Sequence, residues 1–543
     1  MHLKFNRLTS ASAFLALLIA LPIFALLFTA MTETGQSFEH IRDTVLADYI
    51  INTVLLMTLV GIIVTLIGVP LAWLIACCEF TGKHLFNWAL VLPLAMPGYL
   101  IAYTYTDLLD YAGPLQTFLR NTFGWSSPDD YWFFEIRSLG GAAAMLSLVL
   151  FPYVYLMAKA NFLNQNASLT LAARTLGYSP LKSFFSVSLP IAKNSIVAAI
   201  SLVLMETIAD FATVYYFAVN TLTTAVYDTW LGYYDLASAA KISMLMIVGV
   251  FALIILEHKT NKRGKDSNSA KMSVQPLSYK LTGRQNVFAF LFCSLIFVLG
   301  FAVPALTLLS YAIDYYQDVW SMDVIMYAWN STYIAIAVAV ISLLISLVIN
   351  VSLRENKSLA NQSWFNLANM GYAVPGTVLA IAVIIPFSGL DHWLNSTAES
   401  FDLEAPGLIL SGTVVAIIFT HIVRFAAVAN NNIKTNFQQL NKSYDWAAKS
   451  LGAKPNRLFR QVHWPLLKRS ALVAGLLIFV ESMKELPAAL LLRPFDFETL
   501  PTYVFQFASD EQLEQAALGA ILIVIVGLIP LIFINRSIEQ KQN

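Results

Sequence analysis

The sequence predicts an all-α integral membrane protein with about twelve transmembrane helices in two tandem halves of six. Of its 543 residues, 58% are apolar and only 12% are charged, whereas an ordinary soluble protein is about 25% charged. Long apolar stretches lie on both sides of a polar segment in the middle of the chain, and the two halves repeat. This composition excludes a soluble enzyme, a nucleic-acid-binding protein and a disordered scaffold. Three cysteines are too few for a disulfide framework.

Each predicted span has roughly the 20 apolar residues that are needed to cross the hydrocarbon core. The predicted spans are 11–31, 50–77, 87–109, 139–159, 194–218, 239–256, 287–311, 328–352, 364–388, 407–429, 471–492 and 516–535. The first follows a short basic start with Lys4 and Arg7, and no convincing cleavage site comes after it. We therefore expect an uncleaved membrane anchor.

The distribution of Lys and Arg predicts the orientation in the membrane. Most of them fall in loops on the side of the N-terminus, in the central polar segment and in the C-terminal tail. The loops on the opposite side hold only Arg42, Arg120, Arg137 and Arg493. Because basic loops stay in the cytoplasm, both termini and the central linker are predicted to be cytoplasmic.

The two halves match at an offset of about 275 residues. Equivalent pairs are Asn52 and Asn330, Pro97-Gly98 and Pro375-Gly376, Glu206 and Glu481, and Asp210 and Glu485. The predicted domain boundaries follow this repeat. They are an N-terminal anchor with the first outer loop (1–47), a first transmembrane domain (48–257), a cytoplasmic linker (258–286), a helix with an outer loop (287–327) and a second transmembrane domain (328–536).

The best repeated match is a long basic loop between the fourth and fifth spans of each half. It reads LAARTLGYSPLKSFFSVSLP at 171–190 and WAAKSLGAKPNRLFRQVHWP at 446–465. The shared positions are Ala172, Ala173, Gly177 and Pro190 in the first copy, and Ala447, Ala448, Gly452 and Pro465 in the second. Alanines favour a helix, glycine favours a left-handed cap at its end, and proline suits the first turn of the next helix. We expect two short helices, the second ending by Pro190 or Pro465. A hairpin that merely rests on anionic lipid is the alternative, and two copies with identical spacing argue against it.

This pattern resembles the permease subunits of type I binding-protein-dependent ABC importers. Their signature is Glu-Ala-Ala, three residues, Gly, nine residues, an aliphatic residue, one more residue, then Leu-Pro. Here Leu171 and Trp446 stand in place of the Glu, and Trp464 replaces the Leu of the final Leu-Pro in the second copy. The resemblance implies the type I transmembrane domain, an inner-membrane location and a coupling helix in each loop that fits a groove on a cytoplasmic ATPase subunit.

The chain lacks the phosphate-binding loop of an ATPase. Its two Gly-Lys pairs, Gly82-Lys83 and Gly264-Lys265, lack the upstream Gly and the following Ser or Thr. The permease is therefore predicted not to be an enzyme and to bind no cofactor, with ATP and Mg held by partner chains. A fused pair of halves implies two copies of the ATPase subunit, and the family likeness adds a periplasmic substrate-binding protein.

Acidic residues stand at matching places in spans five and eleven. Glu206 and Asp210 are four residues apart, as are Glu481 and Glu485, so each pair is predicted to share one helix face. Such residues are costly in a membrane, and their oxygens suit a hard cation on a translocation pathway. The alternative is a structural role, with Lys484 neutralising one acid. No metal site is firmly assigned.

Two segments resemble the ferric-iron importer permeases, which also fuse both halves in one chain. They are LFPYVYLMAKANFLNQNASLTLAARTLG at 150–177 and ESMKELPAALLLRPFDFETL at 481–500. Ferric iron is therefore the expected cargo, with thiamine, phosphonate or another small solute as alternatives. A secondary transporter driven by an ion gradient is the rival class. The outer loops 110–138 and 389–406 are expected to dock the binding protein, and prolines within spans are expected to bend them, namely Pro93, Pro97, Pro152, Pro375 and Pro386.

Overall fold

The apolar stretches form long helices, because a backbone in lipid must satisfy its own hydrogen bonds. A computed structural model describes residues 7–262 and 278–539. Lys4, Gly264-Lys265 and residues 263–277 of the predicted linker lie outside the described residues.

The first part of the chain contains thirteen helices and one strand among its described residues. They are α1 (Arg7–Thr32), α2 (Phe38–Thr44), α3 (Leu46–Cys77), β1 (Cys78–Glu79), α4 (Lys83–Ala89), α5 (Gly98–Leu109), α6 (Pro114–Phe123), α7 (Leu139–Leu163), α8 (Ala167–Thr175), α9 (Pro180–Ser183), α10 (Leu189–Ala209), α11 (Ala212–Tyr216), α12 (Leu222–Tyr227) and α13 (Leu236–Lys262). Short 3-10 helices cover Leu92–Ala95 and Pro128–Asp130, and π-helical turns cover Phe184–Ser188 and Asp228–Gly232.

The part that follows residue 277 repeats much of this order. It contains β2 (Tyr279–Lys280), α14 (Arg284–Phe297), α15 (Val303–Asp314), α16 (Tyr316–Val319), α17 (Met322–Glu355), α18 (Leu359–Leu367), α19 (Gly376–Ser400), α20 (Val414–Gln439), α21 (Ser443–Ser450), α22 (Pro455–Leu458), α23 (Trp464–Lys484), α24 (Pro487–Leu492), α25 (Leu500–Ser509) and α26 (Leu513–Glu539). A 3-10 helix covers Met370–Ala373, and π-helical turns cover Val298–Ala302 and Phe459–His463.

Ten helices among the described residues are long and apolar enough to cross a membrane, or eleven if one bent pair is a single span. The eleventh predicted span, 471–492, falls on α23, which carries Lys468, Arg469 and Glu481 and is not among the ten. The structure thus confirms an all-α membrane protein, while the predicted count of twelve is not confirmed.

Proline breaks the predicted span 87–109 rather than merely bending it. The segments Lys83–Ala95 and Gly98–Phe123 meet at 94°. Met96, just before Pro97, is extended, with φ −99° and ψ 122°, as expected for a residue that precedes proline. The second half repeats the break at Pro375, where α19 begins. By contrast, Pro152 and Pro386 lie inside the unbroken helices α7 and α19, and Pro93 lies in a 3-10 helix.

The described residues divide into two compact units that do not follow the order of the chain. One unit contains the stretch up to Glu39, Val226–Met244 and Ser321–Tyr503. Within it, α1 packs against α17, α18 and α19. Residues Ala16, Ile19 and Ile23 of α1 are buried at 0–1% exposure, and their spacing of three and four places them on one helix face.

The other unit contains His40–Ala225, Leu245–Trp320 and the stretch from Val504. In this unit α3 packs along α7, while α15 packs against α26. The first helix of the second half, α14, packs here against α4. Each unit therefore contains the first long helix of the opposite half of the sequence.

Equivalent hydrogen bonds confirm the internal repeat. The side chain of Asn52 donates to the carbonyl of Asn220 at 3.0 Å, and that of Asn330 donates to the carbonyl of Glu498 at 2.8 Å. One residue further on, the hydroxyl of Thr53 accepts from the N–H of Leu222 at 3.0 Å, and that of Ser331 accepts from Leu500 at 2.8 Å. In each half these bonds join the second span to the segment that leads into the sixth.

Candidate functional site

The first basic loop folds as a helical hairpin, in which a glycine cap joins α8 to α9. The N–H of Tyr178 donates to the carbonyl of Ala173 at 3.0 Å, and that of Gly177 donates to Arg174 at 2.9 Å. Gly177 has φ +78°, a conformation that side-chain-bearing residues rarely adopt. The next helix begins at Pro180, where the missing N–H of proline costs nothing.

The second basic loop forms the same hairpin from α21 and α22. The N–H of Ala453 donates to Ala448 at 3.0 Å, and that of Gly452 donates to Lys449 at 3.0 Å. Gly452 has φ +77°, and Pro455 begins α22. The predicted glycine caps are thus confirmed in both copies, with matching bonds at matching positions.

The hairpins do not end at the second conserved proline, so the prediction of two separate short helices is wrong. A π-helical turn follows α9, and the helix continues unbroken over 180–209, with an equivalent turn after α22. The N–H of Leu189 donates to Phe184, five residues earlier. Proline normally clashes with the carbonyl four residues before it, and the wider turn accommodates Pro190 and Pro465. Each hairpin is therefore continuous with the helix that follows it, α10 or α23.

Most of the predicted coupling residues lie on the surface. Ala172, Gly177, Pro190, Ala447, Gly452 and Pro465 are exposed, Ala448 is half-buried and Ala173 is buried. Large apolar side chains beside them are also exposed, namely Leu171, Leu176, Leu181 and Phe185 in the first hairpin, and Tyr444, Trp446 and Leu451 in the second. Clustered apolar side chains on a loop surface are typical of a site that docks another protein.

An ion-pair network that the sequence did not reveal holds the second hairpin. Asp445, next to Trp446, accepts from Arg354 Nε at 2.8 Å and from His463 Nε2 at 3.0 Å. Arg354 also donates to the carbonyl of Leu440 at 3.1 Å. Burial raises the pKa of Asp445, but the bonds from Arg354 and His463 outweigh it and hold the pKa below its ordinary value. An acid therefore sits one residue before the position at which the importer signature has its Glu.

Asp210 caps a helix instead of continuing α10. The helix ends at Ala209, and Asp210 is extended, with φ −67° and ψ 132°. Its carboxylate accepts from the Thr213 N–H at 3.1 Å, the Thr213 hydroxyl at 3.0 Å and the Val214 N–H at 3.2 Å. These bonds satisfy the free N–H groups at the start of α11. Glu206 and Asp210 thus do not share one helix face, because the helix breaks at the second acid.

Glu485 has the equivalent position after α23 and is the most enclosed of the four acids. Its carboxylate accepts from Arg424 at 2.9 Å, from His421 Nε2 at 3.1 Å and from the Ala488 N–H at 3.2 Å. His421 Nδ1 lies 2.8 Å from the Ser482 hydroxyl. The Glu485 side chain is only 3% exposed. The prediction that Glu481 and Glu485 share one helix face is wrong for the same reason as in the first half.

The remaining two acids, Glu206 and Glu481, are less buried than Glu485. Glu206 is half-buried. Glu481 pairs with Lys484 at 3.0 Å, and the Glu481 side chain is 43% exposed. This ion pair agrees with the alternative interpretation, in which Lys484 neutralises one acid of the second half. Within residues 7–262 and 278–539, no group of three or more His, Cys, Asp or Glu side chains is arranged to hold a metal ion. The acids are therefore separate groups rather than a preformed metal site.

Comparison with known proteins identifies the class of this chain. Residues 354–543 match the family described as "Binding-protein-dependent transport system inner membrane component". This match covers the second hairpin and the Glu485 network. This match and the relatives below support a permease of the binding-protein-dependent ABC importers, and the long apolar helices agree with a multi-pass protein of the inner membrane.

Two relatives match along nearly the whole chain. The chain is 25% identical over 533 residues to the Fe(3+)-transport system permease protein FbpB 2 of Haemophilus influenzae, covering 96% of this chain and 97% of that protein. It is 26% identical over 542 residues to the ferric transport system permease protein FbpB of Actinobacillus pleuropneumoniae, covering 93% and 74%. A shorter relative, the molybdate/tungstate permease WtpB of Pyrococcus abyssi, is 28% identical over 250 residues and matches 45% of this chain.

Proposed function

We propose that this permease imports ferric iron and that its two hairpins transmit the work of separate ATPase subunits. The observation that supports the cargo is the likeness to ferric permeases along nearly the whole chain. The observation that supports the coupling role is the pair of hairpins, with the same caps and exposed apolar residues in both.

The continuity of each hairpin with the next helix gives the coupling a mechanical basis. When two ATPase subunits close on ATP, a hairpin that each one holds is displaced with it. Because the helix over 180–209 is unbroken, a displacement of α9 reaches Asp210 at the far end of α10. There the capped break separates α10 from α11, so movement at that end changes the pathway. We infer alternating access, with cargo taken from a binding protein and released after hydrolysis.

The proposed complex contains one copy of this chain, two cytoplasmic ATPase subunits and a periplasmic substrate-binding protein. ATP and Mg are bound by the ATPase subunits, and this chain binds no cofactor and has no catalytic activity of its own. Both termini and the linker 258–286 lie in the cytoplasm, because basic loops are retained there. The proposed type I domains are 48–257 and 328–536, joined by that linker and preceded by 1–47, with 287–327 leading into the second domain.

Among the acids, Glu206 and Glu481 are the proposed contacts with passing cargo, because both are half-buried and lie within α10 and α23 rather than at the helix breaks. Asp210 and Glu485 are proposed to shape the same pathway by fixing the helix breaks beside it. Carboxylate oxygens suit a hard trivalent cation, whereas an oxyanion such as molybdate would be repelled by them.

Uptake by reconstituted vesicles tests the proposal. The complete complex, with its ATPase subunits and binding protein, is supplied with ATP and labelled ferric iron. We expect uptake only when all components are present, and competition by unlabelled ferric iron but not by thiamine, phosphonate or molybdate. Preferential competition by one of those solutes would reassign the cargo. Movement driven by an ion gradient without ATPase subunits would reject the importer mechanism.

A further inference from the structure

The chain returns from its linker into a short strand that is attached to the end of α3. β2 pairs in parallel with β1, and the N–H of Leu281 donates to the carbonyl of Glu79 at 2.9 Å. The side chain of Asn286 accepts from the Thr81 N–H at 2.8 Å and donates to the Thr81 hydroxyl at 3.1 Å. Residues 278–286 are called the linker anchor below.

The linker anchor inserts Tyr279 beneath the first hairpin. The Arg174 guanidinium of α8 lies 5.3 Å from the centre of the Tyr279 ring. The ring centroid of Trp73 on α3 is 6.3 Å from that of Tyr279 and 5.2 Å from that of Phe184, which follows α9. Tyr279 is 8% exposed. The buried ring of Tyr279 therefore contacts Arg174 of α8 and Trp73 of α3. Trp73 in turn contacts Phe184, which follows α9, so both helices of the hairpin are connected to α3.

The second hairpin is held to its own long helix by different chemistry. There Arg354, near the end of α17, pairs with Asp445 of α21, which also accepts from His463. The positions in the first half that match these three by the repeat are Ala76, Thr170 and Ser188. None of them is ionisable, so these positions cannot form an ion pair of this kind.

We propose that the linker anchor, through Tyr279, positions the first hairpin and replaces the Arg354–Asp445 ion pair that positions the second. Both devices connect the hairpin to the end of the second span of its half. Aromatic and cation–π contacts contribute energies similar to those of a partly buried ion pair, so either attachment keeps the hairpin stiff. That this stiffness serves coupling rests on the proposed function, whereas the positioning itself does not.

Local hydrogen exchange in the full-length protein, in its complex, tests the two attachments separately. We expect Tyr279→Ala to speed amide exchange at 167–178 about five- to thirty-fold, which corresponds to a loss of about 1–2 kcal/mol, and to leave 443–453 unchanged. Arg354→Gln is expected to speed amide exchange at 443–453 and to leave 167–178 unchanged. Tyr279→Phe is the matched control, because the Tyr279 hydroxyl has no hydrogen-bond partner in the described part of the chain and the ring is kept. Arg174→Gln removes only the cation–π contact and should speed exchange at 167–178 by a smaller factor.

Unchanged exchange at 167–178 in both Tyr279→Ala and Arg174→Gln would overturn the inference, as would equal loosening of both hairpins by Tyr279→Ala. Iron uptake per ATP hydrolysed is measured in the same samples, and we expect it to fall in Tyr279→Ala. If exchange at 167–178 rises while uptake per ATP stays constant, the anchor is supported and the coupling role of the hairpin is rejected. The two proposals therefore fail in distinguishable ways.

Discussion

Replacement of Glu485 by Gln tests whether the network around this residue is structural. The carboxylate pairs with Arg424 at 2.9 Å and accepts from His421 at 3.1 Å, with its side chain 3% exposed. The amide of Gln keeps the shape and can still accept one bond, but it leaves the Arg424 charge without a countercharge. Hydrogen bonds to charged groups contribute about 1.5–3 kcal/mol, and removal of one member of a buried ion pair costs about 3–5 kcal/mol.

Because Gln retains part of the bonding, we expect Glu485→Gln to destabilise the folded state by roughly 2–4 kcal/mol. At about 2–4 °C per kcal/mol for a large domain, the midpoint of thermal unfolding falls by roughly 4–16 °C. The assay is thermal unfolding of purified protein in detergent, followed by intrinsic fluorescence. Glu481→Gln is the matched control, since its pair with Lys484 is 43% exposed on the acid side and such pairs contribute about 0–1 kcal/mol.

Equal destabilisation by the two substitutions, or no shift for Glu485→Gln, would refute the assignment of Glu485 as a buried structural cap. Iron uptake by the same variants separates the roles further. We expect Glu481→Gln to lower uptake with little change in stability. Unchanged uptake in that variant would remove Glu481 from the pathway.

Two further predictions concern the second hairpin. Gly452→Ala should destabilise the hairpin by about 1–2 kcal/mol, because alanine is strained in the left-handed conformation, and should weaken co-purification with the ATPase subunits. Gly389→Ala is its control, since an added Cβ at Gly389 within α19 would meet no atom within 4 Å, and this substitution should be neutral or slightly stabilising. Asp445 has a lowered pKa, so its contribution to stability is present above the unfolded value near 3.9 and is lost as pH falls through the folded value. Asp445→Asn should therefore flatten the loss of thermal stability below about pH 4, and a pH profile that stays the same as in the wild type would contradict this.

Local sequence signals predicted the features that local chemistry determines. The glycine caps at Gly177 and Gly452 follow from a few adjacent residues, because a left-handed position after a helix strongly favours glycine. At Pro97 the sequence predicted only a bend, whereas the constraint that proline places on the preceding residue breaks the helix there. Long apolar stretches predict spanning helices regardless of what those helices contact.

Other features depend on residues that are distant in sequence, or on whether a segment continues as a helix or is capped and interrupted. Arg354 and Asp445 are 91 residues apart, and a single sequence gives no signal that they meet. The breaks at Asp210 and Glu485 interrupt apolar stretches that read as continuous spans, because capping bonds to α11 and α24 compensate for the lost helical bonds. The hydropathy of α1 shows only that this helix is apolar. Hydropathy does not indicate which helices α1 packs against.

The packing of α1 has a consequence for how the protein is made. Its partners α17 to α19 are encoded about 290 residues later, so at roughly 5–20 residues per second they emerge some 15–60 s after α1 has entered the bilayer. During that interval the face with Ala16, Ile19 and Ile23 has only lipid or an insertion factor as a neighbour. α1 must therefore remain in the bilayer without its packing partners until they are synthesised. If the ribosome stalls within the linker, α1 stays unpacked and becomes a substrate for quality-control proteases.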